Sequence, residues 1–188
     1  MIKKFNQFCF KLNESMIIPD NYYSQFNLPV DGVKPASKEV REIDSLLNKK
    51  RRVAWVDANF GESKDEFEKR MESKGLKSIK LYNINDDIAV TKIKELSEGG
   101  WSEMAATRQV DSEYIVYLPK YEEQAKLAHK ELIRRGGWWT VTEPESDIYL
   151  ARLMGYGEEY IVPYIRKYHP NFDVDDYIKQ NPRNKVIK

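Results

Sequence analysis

Asp57, Asp86 and Asp87 are the residues of this sequence whose type and position best suit chemistry. The run Val53-Ala54-Trp55-Val56 closes on Asp57, and Ile79 to Tyr82 leads into Asn83-Ile84-Asn85-Asp86-Asp87. If two strands carrying these runs were neighbours, their terminal oxygens would converge at one edge of a sheet. Clustered hard oxygens suit Mg²⁺, which takes one or two carboxylates and leaves the rest of its shell to water and substrate phosphates. The chemistry would be phosphoryl or phosphodiester transfer. The same residues also have a structural use, and it is the commoner one at such boundaries: Asp57 and Asn59 build a turn, and Asp86 or Asp87 caps a helix.

A second set is Arg134-Arg135-Gly136-Gly137-Trp138-Trp139, where two guanidiniums and two indoles combine groups that hold phosphate and stack a base. The basic run Lys49 to Arg52 would extend it. Its structural counterpart is a helix ending in cations that favour the macrodipole, followed by one core and one rim tryptophan. His129 lies beside lysines, and His169 precedes Pro170 at a helix end, so neither suggests a nucleophile-base pair. No glycine-rich phosphate loop or histidine-rich metal motif is present. Val56-Asp57-Ala58-Asn59 resembles the strand motif of haloacid-dehalogenase-like phosphatases, but Asn59 stands where that pattern has a second carboxylate. The chain therefore lacks the carboxylate pair on which that family's chemistry depends. Leu150 to Gly157 has the look of a motif, which a helix stopping at Gly155 explains.

The elements that must position these groups alternate. Residues Met16 to Pro35, with Pro19, Pro29 and Pro35, read as an extended arm anchored by Tyr22, Tyr23, Phe26 and Leu28. Ser37 caps a helix with Val40, Ile43, Leu46 and Leu47 on one face. A strand follows at Val53 to Val56, then a helix with a Ser63/Glu66 capping box, Phe67 and Met71 inward, and Gly75 as its stop. Ile79 and Leu81 mark a second strand. A third helix carries Ile88, Ile93 and Leu96 inward and ends at Gly99-Gly100. Trp101 to Asp111 fits either a helical turn or a loop. Tyr114 to Leu118 is the clearest strand, ended by Pro119. A long amphipathic helix then runs to Gly136-Gly137, and Trp138 to Val141 suggests a fourth strand. This order predicts an α/β fold: a three- to four-stranded, mainly parallel sheet with helices on both faces and a helical tail from about residue 144. Ligands would bind at the carboxyl ends of the strands.

The 188 residues, 41% of them hydrophobic, suit one domain over 36–180, preceded by a helix and arm over 1–35 and followed by a flexible basic tail over 181–188. Thirty-one basic against thirty acidic residues leave a net charge of +1. No global field therefore steers the chain to nucleic acid or to an anionic membrane. The single cysteine, Cys9, excludes an intrachain disulfide. The longest apolar runs fall well short of the roughly 20 residues that span a bilayer, and no signal peptide is evident. The expectation is a soluble, cytoplasmic protein.

Phe5, Phe8, Cys9 and Leu12 share one helical face and are followed by Leu12-Asn13-Glu14-Ser15. This resembles the leader of proteins packaged in the heads of myovirus-type tailed phages, cut by a prohead protease after Leu-x-Glu or Ile-x-Glu. The resemblance implies a processing site at Leu12 to Glu14 and a phage accessory protein in an infected host. Taken together, the sequence reads as a small binding or accessory protein without catalytic activity or cofactor of its own. Twelve tyrosines and four tryptophans suggest a surface for a protein partner or a second copy of the chain. The alternative is a Mg²⁺-dependent phosphoryl-transfer or nucleic-acid-processing enzyme with Asp57, Asp86 and Asp87 as ligands and Arg134 or Arg135 holding phosphate.

Overall fold

A computed structural model describes residues 38–59, 61–136 and 143–183 of the chain. The arm over 1–35 with Cys9, Leu12 and Glu14, the strand expected at Trp138 to Val141, and most of the basic tail lie outside the described residues.

Among the described residues the chain forms eight α-helices and a three-stranded sheet. The helix α1 (Lys38–Leu47) leads into β1 (Val53–Asp57), α2 (Lys64–Glu72) and β2 (Lys77–Lys80); then come α3 (Asp87–Glu98), α4 (Glu103–Asp111) and β3 (Glu113–Tyr117). A short 3₁₀ turn over Pro119–Tyr121 precedes α5 (Glu122–Arg134), α6 (Pro144–Met154), α7 (Glu158–Tyr168) and α8 (Val174–Gln180).

The strand order is β1-β3-β2, and both pairings are antiparallel. This corrects the expectation of a mainly parallel sheet. The reason lies in the stretch from Trp101 to Asp111. A single helix between two strands returns the chain to run parallel, as α2 does for β1 and β2. Between β2 and β3 there are two helices packed on each other, α3 and α4. Two reversals bring the chain back to the end it left, so β3 enters antiparallel and fills the gap between β1 and β2. Ser102 starts the second of these helices, its hydroxyl accepting the Ala105 N–H at 3.3 Å.

All five residues of β3 are buried, as befits a central strand rich in β-branched and aromatic side chains. Alternate residues serve opposite cores. Trp55 and Ile115 face one that also takes Leu81, Ala128, Leu132 and Leu153; Val56, Tyr114 and Val116 face another built on Leu46 of α1 and on Phe67 and Met71 of α2. There the Phe67 and Tyr114 rings stack with centroids 4.1 Å apart. The capping box holds as spaced, with Ser63 Oγ accepting from Glu66 N and the Glu66 carboxylate from Ser63 N. The outer strand β2 carries Lys77 and Lys80, charges that blunt an exposed edge. A third cluster, of Ile148, Ile161, Ile165 and Val174, joins α6, α7 and α8.

The close of α6 shows most clearly where backbone freedom is needed. Gly155 has φ 97°, and a Cβ there would sit 3.0 Å from Arg52 N and 3.4 Å from Arg51 Cα. Gly75 also has positive φ, 73°, but open space around it. Gly75→Ala is expected to lose about 1–2 kcal/mol, the cost of a left-handed backbone alone, and Gly155→Ala more, because its methyl meets main chain. Urea denaturation of both variants checks this ordering; equal losses would show that the contact at Gly155 gives way freely.

Candidate functional site

The carboxyl ends of β1 and β2 and the start of β3 share one edge of the sheet, with Asp57 opposite Glu113 in register. Glu113 has 0% of its surface exposed and Lys92, from the inner face of α3, 5%. The Lys92 ammonium lies 3.2 and 3.3 Å from the two Glu113 oxygens, donates to Tyr82 Oη at 3.2 Å, and sits 4.7 Å from the Tyr82 ring centroid. Gln109 of α4 joins from the side, its Nε2 3.5 Å from Asp57 Oδ1, and its amide dipole favours the charged form of Glu113.

Burial dominates the electrostatics of this group. It pushes the Glu113 carboxyl up and the Lys92 ammonium down, each opposed by the charge of the other; Asp57 adds to the rise at Glu113 and supports the positive charge on Lys92. Tyr82 is pushed well above the ordinary phenol range by burial and by Glu113, so its hydroxyl stays protonated. The protein's own ammonium therefore occupies the centre of the acidic edge. A sealed acid and base can fix α3 against β3, but they offer a substrate no approach.

The residues singled out in the sequence go to separate places. Asp57 turns to Gln109. Asp86 is the N-cap of α3 without a side-chain cap bond, and Asp87 begins that helix. Among the described residues, no three His, Cys, Asp or Glu side chains are grouped so as to hold a metal ion. Arg134 is held by Glu131 through bonds of 3.0 and 2.7 Å. Arg135 lies 2.6 Å from Asp147, whose other oxygen is 2.8 Å from His169 Nε2, so this ion group ties α5 and the end of α7 to α6. Tyr164, near Asp147, is pushed up to about 12 by burial and by that carboxylate. His129 Nε2 is 3.2 Å from the Leu81 carbonyl oxygen. Trp138 and Trp139 lie outside the described residues.

Sequence reasoning passed over Lys92, Glu113 and a group of arginines. Lys92 carried a signal, since it lies in the inward stripe of α3 between Ala89 and Leu96, where a charge needs a partner. The basic run before β1 is not uniform either: Lys49 and Lys50 are exposed, Arg52 is half-buried and Arg51 is buried, paired with Glu42 and 4.4 Å from the Tyr156 ring centroid. The backbone N–H of Arg52 donates to the Met154 carbonyl at 3.1 Å. Arg152, 1% exposed, donates through Nε to Glu158 at 2.9 Å and through one Nη to the Asn181 carbonyl at 2.7 Å. Arg183 donates to the Arg152 carbonyl at 3.3 Å.

Comparison with protein-family models, with curated proteins and with solved structures finds no match for this chain. Among the described residues, no helix is long and apolar enough to cross a membrane.

Removing one member of the buried pair should be costly, because it strands the other charge in the interior. Glu113→Gln is expected to lose about 3–5 kcal/mol, whereas Lys92→Met/Glu113→Leu recovers most of that loss. Chemical denaturation of the single and double variants is the check, and a double variant no better than the single would show that the ion pair is worth more than its desolvation.

Proposed function

We propose that this chain is a binding protein without catalytic activity of its own, acting through contact with another protein. The observation that carries this reading is the sealing of the strand-edge pair: Lys92 and Glu113, the base and acid at the centre of that edge, are spent on one another, with Glu113 wholly enclosed. A reacting group must lie within hydrogen-bond reach of substrate, and this one is walled in by core.

What the protein does expose points to contact. Trp101 is 48% and Met104 62% exposed, beside the Gly99-Gly100 turn that joins α3 to α4. Trp and Met are enriched where proteins meet: the indole brings a large contact area, and the flexible, polarizable thioether adapts to the surface it meets. Ser102, between them, is held in the N-cap of α4, so both side chains project from a defined turn.

A photo-crosslinking amino acid at position 104 should give a discrete protein adduct in expressing cells, while the same group at the exposed Lys94 of α3 should not. Equal labelling at both positions, or at neither, would count against the contact reading. A thermal-shift titration with Mg²⁺ and Mn²⁺ addresses catalysis: this reading expects no saturable stabilisation that Asp57→Asn removes, and finding one would replace it with metal-dependent chemistry.

A further inference from the structure

We propose that Arg52, Arg152 and Arg183 form a binding site for a protonated phosphate oxyanion, with Glu158 accepting its hydroxyl. The site stands apart from the Trp101 turn and does not rest on the contact reading.

The first observation is unmet hydrogen bonding. Arg152 is almost wholly enclosed, yet one of its Nη atoms has no partner; the Nε of Arg183 is likewise enclosed and unpartnered. The two side chains are neighbours, since Arg183 donates to the Arg152 carbonyl. Buried donors of this kind cost free energy unless something accepts from them. The second observation is charge. Arg183 lies in the field of two further guanidiniums, those of Arg52 and Arg152, with the carboxylates of Glu158 and Glu159 acting in the opposite sense. Arg183 feels this directly: burial first, then repulsion from Arg52 and from Arg152, lowers its pKa, and Glu158 and Glu159 only partly offset the effect. An anion would relieve that repulsion. Planar guanidiniums, which keep their charge and fork toward oxygen, are the side chains best suited to holding it.

The third observation selects the anion. Glu158 accepts from Arg152 Nε with one oxygen, and its second oxygen is enclosed without a donor. A site with open donors and one open carboxylate acceptor fits an oxyanion that itself carries a proton. Phosphate near neutral pH has such an O–H; sulfate has none. The backbone bond from Arg52 to Met154, packed against Gly155, fixes the base of Arg52 beside the helix that carries Arg152.

Isothermal titration of the full chain with inorganic phosphate, with sulfate and with a phosphate monoester at matched ionic strength tests the proposal. Saturable phosphate uptake is expected, with sulfate and the fully ionised ester at least tenfold weaker. Arg183→Gln and Arg52→Gln should each weaken phosphate at least tenfold while the unliganded far-ultraviolet circular dichroism stays unchanged. Glu158→Gln should erase the preference for phosphate over sulfate. Absence of saturable uptake would overturn the proposal and mean that Arg152 and Glu158 simply close on each other. Equal uptake of sulfate, or phosphate binding unchanged in both arginine variants, would also overturn it. If either arginine variant fails to fold, the other and the sulfate comparison decide.

Discussion

The burial of β3 on both faces is the constraint from which the rest of the architecture follows. A strand enclosed in this way needs a backbone partner on each side and an apolar layer above and below. β1 and β2 supply the partners; α1 and α2 cover one face, while Leu81 and the inner sides of α3 to α6 surround the other. The strand also begins with a glutamate that the interior cannot accept alone, so Lys92 must come with it. Such a pair is weak as a source of net stability, because both charges have left water. Its value is positional: only one placement of α3 brings its single inward charge to Glu113, so the pair fixes which turn of the helix meets the strand.

Individual elements were legible in the sequence, the sheet's direction and its buried ion pair were not, and the failures have identifiable causes. The strand at Tyr114 to Tyr117, the capping box of Ser63 and Glu66, and the stop at Gly155 depend on local chemistry, and local chemistry is what residue order displays. Strand direction is different. It turned on whether Trp101 to Asp111 was helix or loop, a stretch without a long apolar stripe and with only Ala106 and Val110 of α4 fully buried. One further helix, α4, changes the parity of the connection, and with it the sign of every strand pairing. The α1 face shows a smaller version of the same limit. Val40 and Leu47 share the periodicity of Ile43 and Leu46, yet they lie at the rim of the helix's contact and stay exposed.

The candidate site was legible only in part, because residue type does not say which charges will be buried. Arg134 and Arg135 stood out as a pair, but each is committed to a carboxylate, from Glu131 and Asp147. Arg51 and Arg52 looked alike within one basic run, yet one lies under Tyr156 against Glu42 and the other reaches toward Tyr121. Arg152 looked like an ordinary helix residue, although it is among the most enclosed side chains described. Burial of a guanidinium is decided by what arrives from far along the chain, here Asn181 and Arg183.

The hydrogen bond from Arg52 to Met154 has a mechanical meaning. It fastens the threshold of the first strand to the end of a helix about a hundred residues later, and Leu150 and Leu153 of that same helix sit in the core shared with β1 and β3. The last three helices are therefore not an appendage that can peel away from an intact sheet. Prying them off would strip β1 of its anchor and open the larger apolar core to water. The two ends of the described chain are obliged to come apart in a single event, so a protease or a pulling force should find no half-open state at which to pause.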